Sequence, residues 1–177
     1  MERRIAGFTL IEALVAIAVF AIALAVGVPG VARTLAATRT QAASHDMVAS
    51  LALARSTAIA VAAPVTVCPI DAARHCRDDG VWDAGWMVFR DAQRRGQPRR
   101  EQDIVQVVDA PDGHLRIRGT TGHVRARFQP DGLASGNTLT LRICSARDDR
   151  LMAEVILNNA GRPRTTDRRD DGLSCAS

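Results

Sequence analysis

Arginine is the residue type with the most chemistry to offer in this 177-residue sequence, because all the basic residues are Arg and none is Lys. A guanidinium is always charged and presents a planar fork of donors that matches the oxygens of a phosphate. One run is C-terminal: Gly161-Arg162-Pro163-Arg164, then Arg168 and Arg169. Pro163 biases Arg162 toward an extended backbone, so Arg162 and Arg164, two residues apart, can project to the same side. Gly161 permits a turn or a close backbone approach there. Arg147 and Arg150 can approach this run across a hairpin. Asp167, Asp170 and Asp171 interleave with the arginines, and a neutralised, solvated tail is the competing reading. A second group, Arg94, Arg95, Arg99 and Arg100, lies in the polar stretch 91–103, which reads as an exposed, solvated loop.

Charge and aromatic content limit what these arginines can do. Against 19 acids the net charge is only +4, so an anionic partner would have to be met by a local cluster. There is no Tyr, and no aromatic follows Phe128, which leaves no platform for base stacking near the arginines. Sequence-independent phosphate contact is the chemistry that remains. Catalysis is not expected. His45, His75, His114 and His123 are scattered, and no nucleophile–base pair or glycine-rich phosphate loop accompanies them. No cofactor is expected, and no metal, because neither a C-x-x-C nor an H-x-x-x-H pair is present.

The elements that must position these residues begin with the N-terminus. Residues 1–7 are a short basic leader, and 13–31 carry no charged residue before Arg33. About 20 apolar residues span a bilayer as a helix. Arg3 and Arg4 precede the span, which leaves the N-terminus in the cytoplasm and the remainder outside. Glu12 is the exception, a carboxylate near the start of the span, where a charge costs about 2.5–3.5 kcal/mol on insertion scales. A secretory signal peptide cut near Ala23-Leu24-Ala25 and an ordinary signal anchor share the hydropathy, but neither accounts for Glu12.

The string Gly7-Phe8-Thr9-Leu10-Ile11-Glu12 resembles the type IV prepilin signature. That resemblance implies cleavage after Gly7 by the prepilin peptidase and N-methylation of the new terminus, Phe8. It also implies a filament-assembly role for Glu12, whose carboxylate would attract the Phe8 amine of a neighbouring subunit and set the stagger between subunits. Pro29 falls where pilins often carry a kinking proline.

Beyond the span, Met47, Leu51, Ala54, Ala58 and Val61 recur at helical spacing, and Pro64 ends the pattern. A helix over 8–63 is expected, with a break near 27–30. After Pro64 the period becomes that of strands, expected at 65–68, 86–90, 104–108, 115–118, 124–129, 139–144 and 152–157. The fold class expected is α+β, a long helix on antiparallel sheet. The expected organisation is leader 1–7, transmembrane and filament-core helix 8–31, amphipathic helix 32–63 and β-rich domain 64–177. Cys68, Cys76, Cys144 and Cys175 all lie beyond the span, an even count that suits disulfides in an oxidising compartment. Three pairings are open, of which Cys68–Cys76 and Cys144–Cys175 are favoured.

Gly85-Trp86-Met87-Val88-Phe89-Arg90-Asp91, Phe128-Gln129-Pro130-Asp131-Gly132, Leu141-Arg142-Ile143-Cys144 and Asn159-Ala160-Gly161-Arg162 follow the order of motifs in the GspH/FimT group of minor pilins and pseudopilins. With the leader, this similarity spans nearly the whole chain. One branch of the group belongs to type II secretion, another to type IV pili. A C-terminal G-R-x-R, here Gly161-Arg162-Pro163-Arg164, resembles the signature of the branch that captures DNA in natural transformation. The resemblance implies DNA binding by Gly161, Arg162, Arg164, Arg168 and Arg169. It further implies other pilins, prepilin peptidase, inner membrane and DNA as partners, a globular domain in the periplasm, and later an extracellular place in the pilus. The alternatives are a structural minor pilin without a DNA ligand and a secretion pseudopilin.

Overall fold

A computed structural model describes residues 9–111, 113–120, 122–134, 136, 138–169 and 171–175. Two compact units divide the chain, Met1–Thr38 and Arg39–Ser177. One helix, α1 (Leu10–Val61), contributes to both, and helical assignment runs through 27–30 without the expected break.

In the first unit α1 carries no charged residue from 13 to 31. Leu10, Ile11, Ile17, Phe20 and Ile22 are each at least 67% exposed, so no described residue covers these side chains. A helix apolar on every face belongs in lipid or in a bundle.

In the second unit α1 is amphipathic. Ala43, Met47, Leu51, Ala54 and Ala58 are buried at three- and four-residue spacing and form one wall of the core. Val61, expected in the same stripe, is 42% exposed, because the helix ends there. The terminus is closed by Ala63 N–H donating to the Ala58 carbonyl (3.3 Å) and Ala62 N–H to that of Ile59 (3.4 Å). Ala62 takes the left-handed conformation (φ +49°) that such a cap requires, and Pro64 follows.

Eight strands follow: β1 (Val65–Pro69), β2 (Gly85–Arg90), β3 (Ile104–Asp109), β4 (Leu115–Gly119), β5 (Ala126–Phe128), β6 (Leu139–Ser145), β7 (Leu151–Leu157) and β8 (Pro163–Asp167). They form two four-stranded antiparallel sheets, ordered β3-β2-β1-β5 and β4-β6-β7-β8. Residues such as Val67, Trp86, Phe128, Ile117, Leu141 and Val155 from both sheets share one core with α1. The side chains of Cys68, Met87 and Phe89 form a second cluster on the opposite face of the first sheet, together with Ile70 and Cys76. Burial on both faces explains why β1 is buried throughout and shows no wet alternation.

The two buried indoles differ: Trp82 Nε1 has no hydrogen-bond partner among the described residues, whereas Trp86 Nε1 is matched. Ser50 of α1 accepts from Trp86 Nε1 (2.9 Å) and donates to Gln106 Oε1 (3.1 Å), tying the helix to β2 and β3. Disulfides join Cys68 to Cys76, with Cα atoms 5.5 Å apart, and Cys144 to Cys175, 6.1 Å apart.

The strand that the sequence reading omits is β8. It begins with a proline, contains no large apolar residue and runs along the sheet edge. Proline is tolerated at the first position of an edge strand, where its missing N–H has no ladder partner to lose.

Candidate functional site

Gly7 and Phe8, the expected cleavage and methylation residues, lie outside the described residues. Glu12 sits in the first turn of α1, where an acid is favoured by the helix dipole. Its N–H donates to the Thr9 carbonyl (3.1 Å) and to Thr9 Oγ1 (3.4 Å). Thr9 is thus an N-cap, and Thr9-Leu10-Ile11-Glu12 has the spacing of a capping box. The Glu12 side chain is exposed and has no partner among the described residues. An 18-residue window of α1 has mean hydropathy 2.6 with none of it buried, so this helix is long and apolar enough to cross a membrane.

At the C-terminus the arginines separate into two kinds. Arg168 Nε lies 3.0 Å from Glu154 Oε2, and its Nη1 lies 3.0 Å from Asp171 Oδ2. Arg169 forks onto the carboxylate of Asp167, with Nε 2.9 Å from each oxygen. That contact holds the Asp167 carboxyl down to about 2. Both cations are therefore neutralised within the tail.

Arg162 and Arg164 are exposed and make no ion pair among the described residues. Arg164 stands opposite Ile156 in the β7–β8 register, while the neighbouring pairs, Val155–Thr165 and Leu157–Pro163, carry the buried residues of β7. By strand alternation Arg164 faces away from the core. Arg162 immediately precedes β8, its N–H held by Asn158 Oδ1 (3.0 Å), and borders a shallow groove with Ala52, Arg55, Ser56 and Ile59 of α1.

Gly161, expected to bind ligand, is buried instead. Its φ is +70°, and a Cβ built on it would lie 2.2 Å from the Gly132 carbonyl oxygen. The same oxygen accepts from Arg55 Nε at 3.0 Å. Gly161 serves the packing of the turn that presents Arg162. Arg147 and Arg150 do not join the run. They sit in the β6–β7 hairpin, the far end of the seven-residue β7 from Arg162, next to the tail held by Leu151 N–H on the Leu173 carbonyl.

The 91–103 stretch is more ordered than a solvated loop. Asp91 is only 4% exposed and accepts from Thr66 Oγ1 (3.0 Å), Arg95 N–H (2.7 Å), Gly96 N–H (3.0 Å) and Arg127 Nη2 (3.1 Å). The acid that closes the Gly85–Asp91 motif is thus a buried anchor for the loop that follows it. Its signal in the sequence was an aspartate directly after a strand of apolar residues.

Residues 43–161 match the family described as Type II transport protein GspH, and residues 3–28 match the prokaryotic N-terminal methylation motif. The chain belongs to the GspH family. This GspH-family chain also resembles solved minor pilins in fold. The type IV minor pilin FimU of Pseudomonas aeruginosa superposes with a TM-score of 0.61 at 18% identity, covering 78% of this chain and 96% of that one. The minor pseudopilin EpsH from the Type 2 Secretion System of Vibrio cholerae gives 0.51 at 14%, covering 73% and 97%. No curated protein matches the chain. The family, the methylation motif and an exposed apolar helix long enough to cross a membrane make this a pilin-like subunit of the GspH kind, a structural protein rather than an enzyme, with the fold of solved minor pilins and pseudopilins.

Proposed function

We propose that this subunit is a minor pilin of a type IV pilus that binds DNA without sequence preference, through phosphate contacts from Arg162 and Arg164, and so supports DNA uptake as well as pilus assembly. The observation that carries the reading is the division among the C-terminal arginines. Arg168 and Arg169 are held by Glu154, Asp171 and Asp167, whereas Arg162 and Arg164 are exposed at the start of an edge strand and make no ion pair among the described residues. Unpaired guanidiniums on a rigid strand are pre-organised for phosphate, while paired ones would have to give up an existing contact first.

In this reading prepilin peptidase cuts after Gly7 and the Phe8 amine is methylated. α1 then anchors the subunit in the inner membrane with the β domain on the periplasmic side, and later packs in the filament core. Glu12, exposed and without a side-chain partner, receives the amine of a neighbouring subunit. The test is titration of the full-length protein, in non-ionic detergent, with two unrelated 30-base-pair duplexes at low salt. Equal affinity for both supports the proposal, and no binding to either rejects it.

The match to a family described by type II transport, together with the likeness to EpsH, favours a second reading, a secretion pseudopilin. Shearing pili from the cell surface separates the two. The mature subunit co-purifies with pili in the first reading; in the second it does not, and loss of the subunit blocks protein secretion.

A further inference from the structure

The arginines of the 91–103 stretch are arranged differently from the sequence grouping. Arg94 turns away, its Nη2 donating to Gln129 Oε1 at 3.0 Å. Arg95, Arg99 and Arg100, joined by Arg90 at the end of β2, line one open groove beside the C-terminal end of α1. All four are exposed, and none has an ion-pair partner among the described residues.

The acids facing this groove offset the arginines only in part. Asp91 is spent on Thr66, Arg127 and two backbone N–H groups. Asp103 accepts from the Arg100 N–H at 3.1 Å, and Glu101 lies on the short 3-10 turn between them. The groove is also rigid. Gln97 accepts from Cys76 N–H (3.0 Å) and donates to its carbonyl (2.8 Å), and Arg125 Nη1 donates to the Gly96 carbonyl (3.0 Å). Four guanidiniums on a braced loop outnumber Asp103 and Glu101 and form no ion pair among the described residues, which makes a net basic surface rather than a solvated run.

A short path connects this groove to Arg162. Arg94 contacts Gln129, the Gly132 N–H donates to the Gln129 carbonyl (2.8 Å), and Gly132 packs on Gly161. Residues 129–132 close one turn, so at most about 10 Å of chain separates the residue that holds Arg94 from the one that packs on Gly161. A duplex rises 3.4 Å per step, so about three steps cover that turn.

We propose that the groove of Arg90, Arg95, Arg99 and Arg100 is a second phosphate-contacting surface, and that one polyanion of repeating phosphodiesters runs across the 129–132 turn from Arg162 and Arg164 into it. This rests on the DNA-binding reading above and extends its footprint from a strand end to a track.

The experiment is fluorescence anisotropy of a labelled 30-base-pair duplex with full-length protein in detergent, repeated across a salt series. The wild type is compared with R99Q/R100Q, with R162Q/R164Q and with the fourfold variant. R99Q/R100Q leaves Asp91, Gln97 and Arg125 untouched, and circular dichroism checks its fold. Each phosphate contact contributes about 0.9 to the slope of log K against log salt. The expected result is a slope shallower by about 1.8 for each double variant and about 3.6 for the fourfold one. If R99Q/R100Q matches the wild type while R162Q/R164Q is shallower, the track is wrong and the strand-end site stands. If only R99Q/R100Q is shallower, the continuous track is equally overturned. No wild-type binding rejects the DNA-binding reading and the track together.

Discussion

Gly161 sits so close to Gly132 that a Cβ on the first would lie 2.2 Å from the carbonyl oxygen of the second, at a φ of +70°. The atom in the way is backbone, so it cannot swing aside as a side chain could. Gly161→Ala combines left-handed strain with a steric overlap and should cost about 2–4 kcal/mol of stability. Chemical denaturation measures this. A loss below about 0.5 kcal/mol would mean that Gly161 is not the packing element described here.

The Cys144–Cys175 bond closes a loop with a sequence separation of 31, and the segment carrying Arg162 and Arg164 lies inside it. Restricting a loop of that size in the unfolded chain stabilises by about 3–4 kcal/mol. Peptide mapping without reduction should recover the 144–175 and 68–76 linked pairs. Cys144→Ser/Cys175→Ser should lose most of that stability in a denaturant titration. Free thiols at both positions in the wild type would contradict the pairing.

Processing of the leader is read by mass spectrometry of protein from the native membrane. The mature N-terminus should be N-methylated Phe8. A terminus after Ala25 would contradict the pilin leader. Glu12→Ala should leave the subunit in the membrane but reduce its recovery in sheared filaments several-fold, because the neighbour's amine loses its partner.

Much of the fold was legible because burial imposes periods. Met47, Leu51, Ala54 and Ala58 mark the buried face of α1, and the 139–144 and 152–157 runs mark β6 and β7. The misses have local causes. Val61 fits the helical spacing but falls where the helix stops, so position rather than period decides its exposure. β8 has no apolar alternation, since an edge strand of Pro, Arg, Thr and Asp is held by its ladder to β7. At the site, residue type singled out the arginines, but which of them are free depends on tertiary contacts. Glu154, which holds Arg168, lies 14 residues away on another strand. The role of Gly161 depends on a turn at Gly132, from a different part of the chain.

Arg169 is withdrawn from the surface charge by Asp167, whose carboxyl is held at about 2, chiefly by the hydrogen bond from the Arg169 side chain. A depressed carboxyl pKa stabilises above the ordinary value near 3.9 and loses that contribution as pH falls toward 2. Between pH 7 and 5 the pair stays closed, and DNA affinity should not respond to this group. Asp167→Asn removes this carboxylate's charge from beside Arg169 at neutral pH. The variant should bind DNA more tightly, with a salt slope steeper by about 0.9. An unchanged slope would show that Arg169 does not reach the ligand even without the Asp167 charge.

The most direct measurement is the salt dependence of DNA binding by R162Q/R164Q, beside the wild type, as full-length protein in detergent. Both arginines are exposed and make no ion pair among the described residues, so stability should stay within about 0.5 kcal/mol. Affinity should fall for every duplex sequence alike, since phosphate contacts carry no base information. The slope of log K against log salt should become shallower by about 1.8. A folded double variant that binds DNA with wild-type affinity and slope would contradict the assignment of Arg162 and Arg164 as the phosphate contacts.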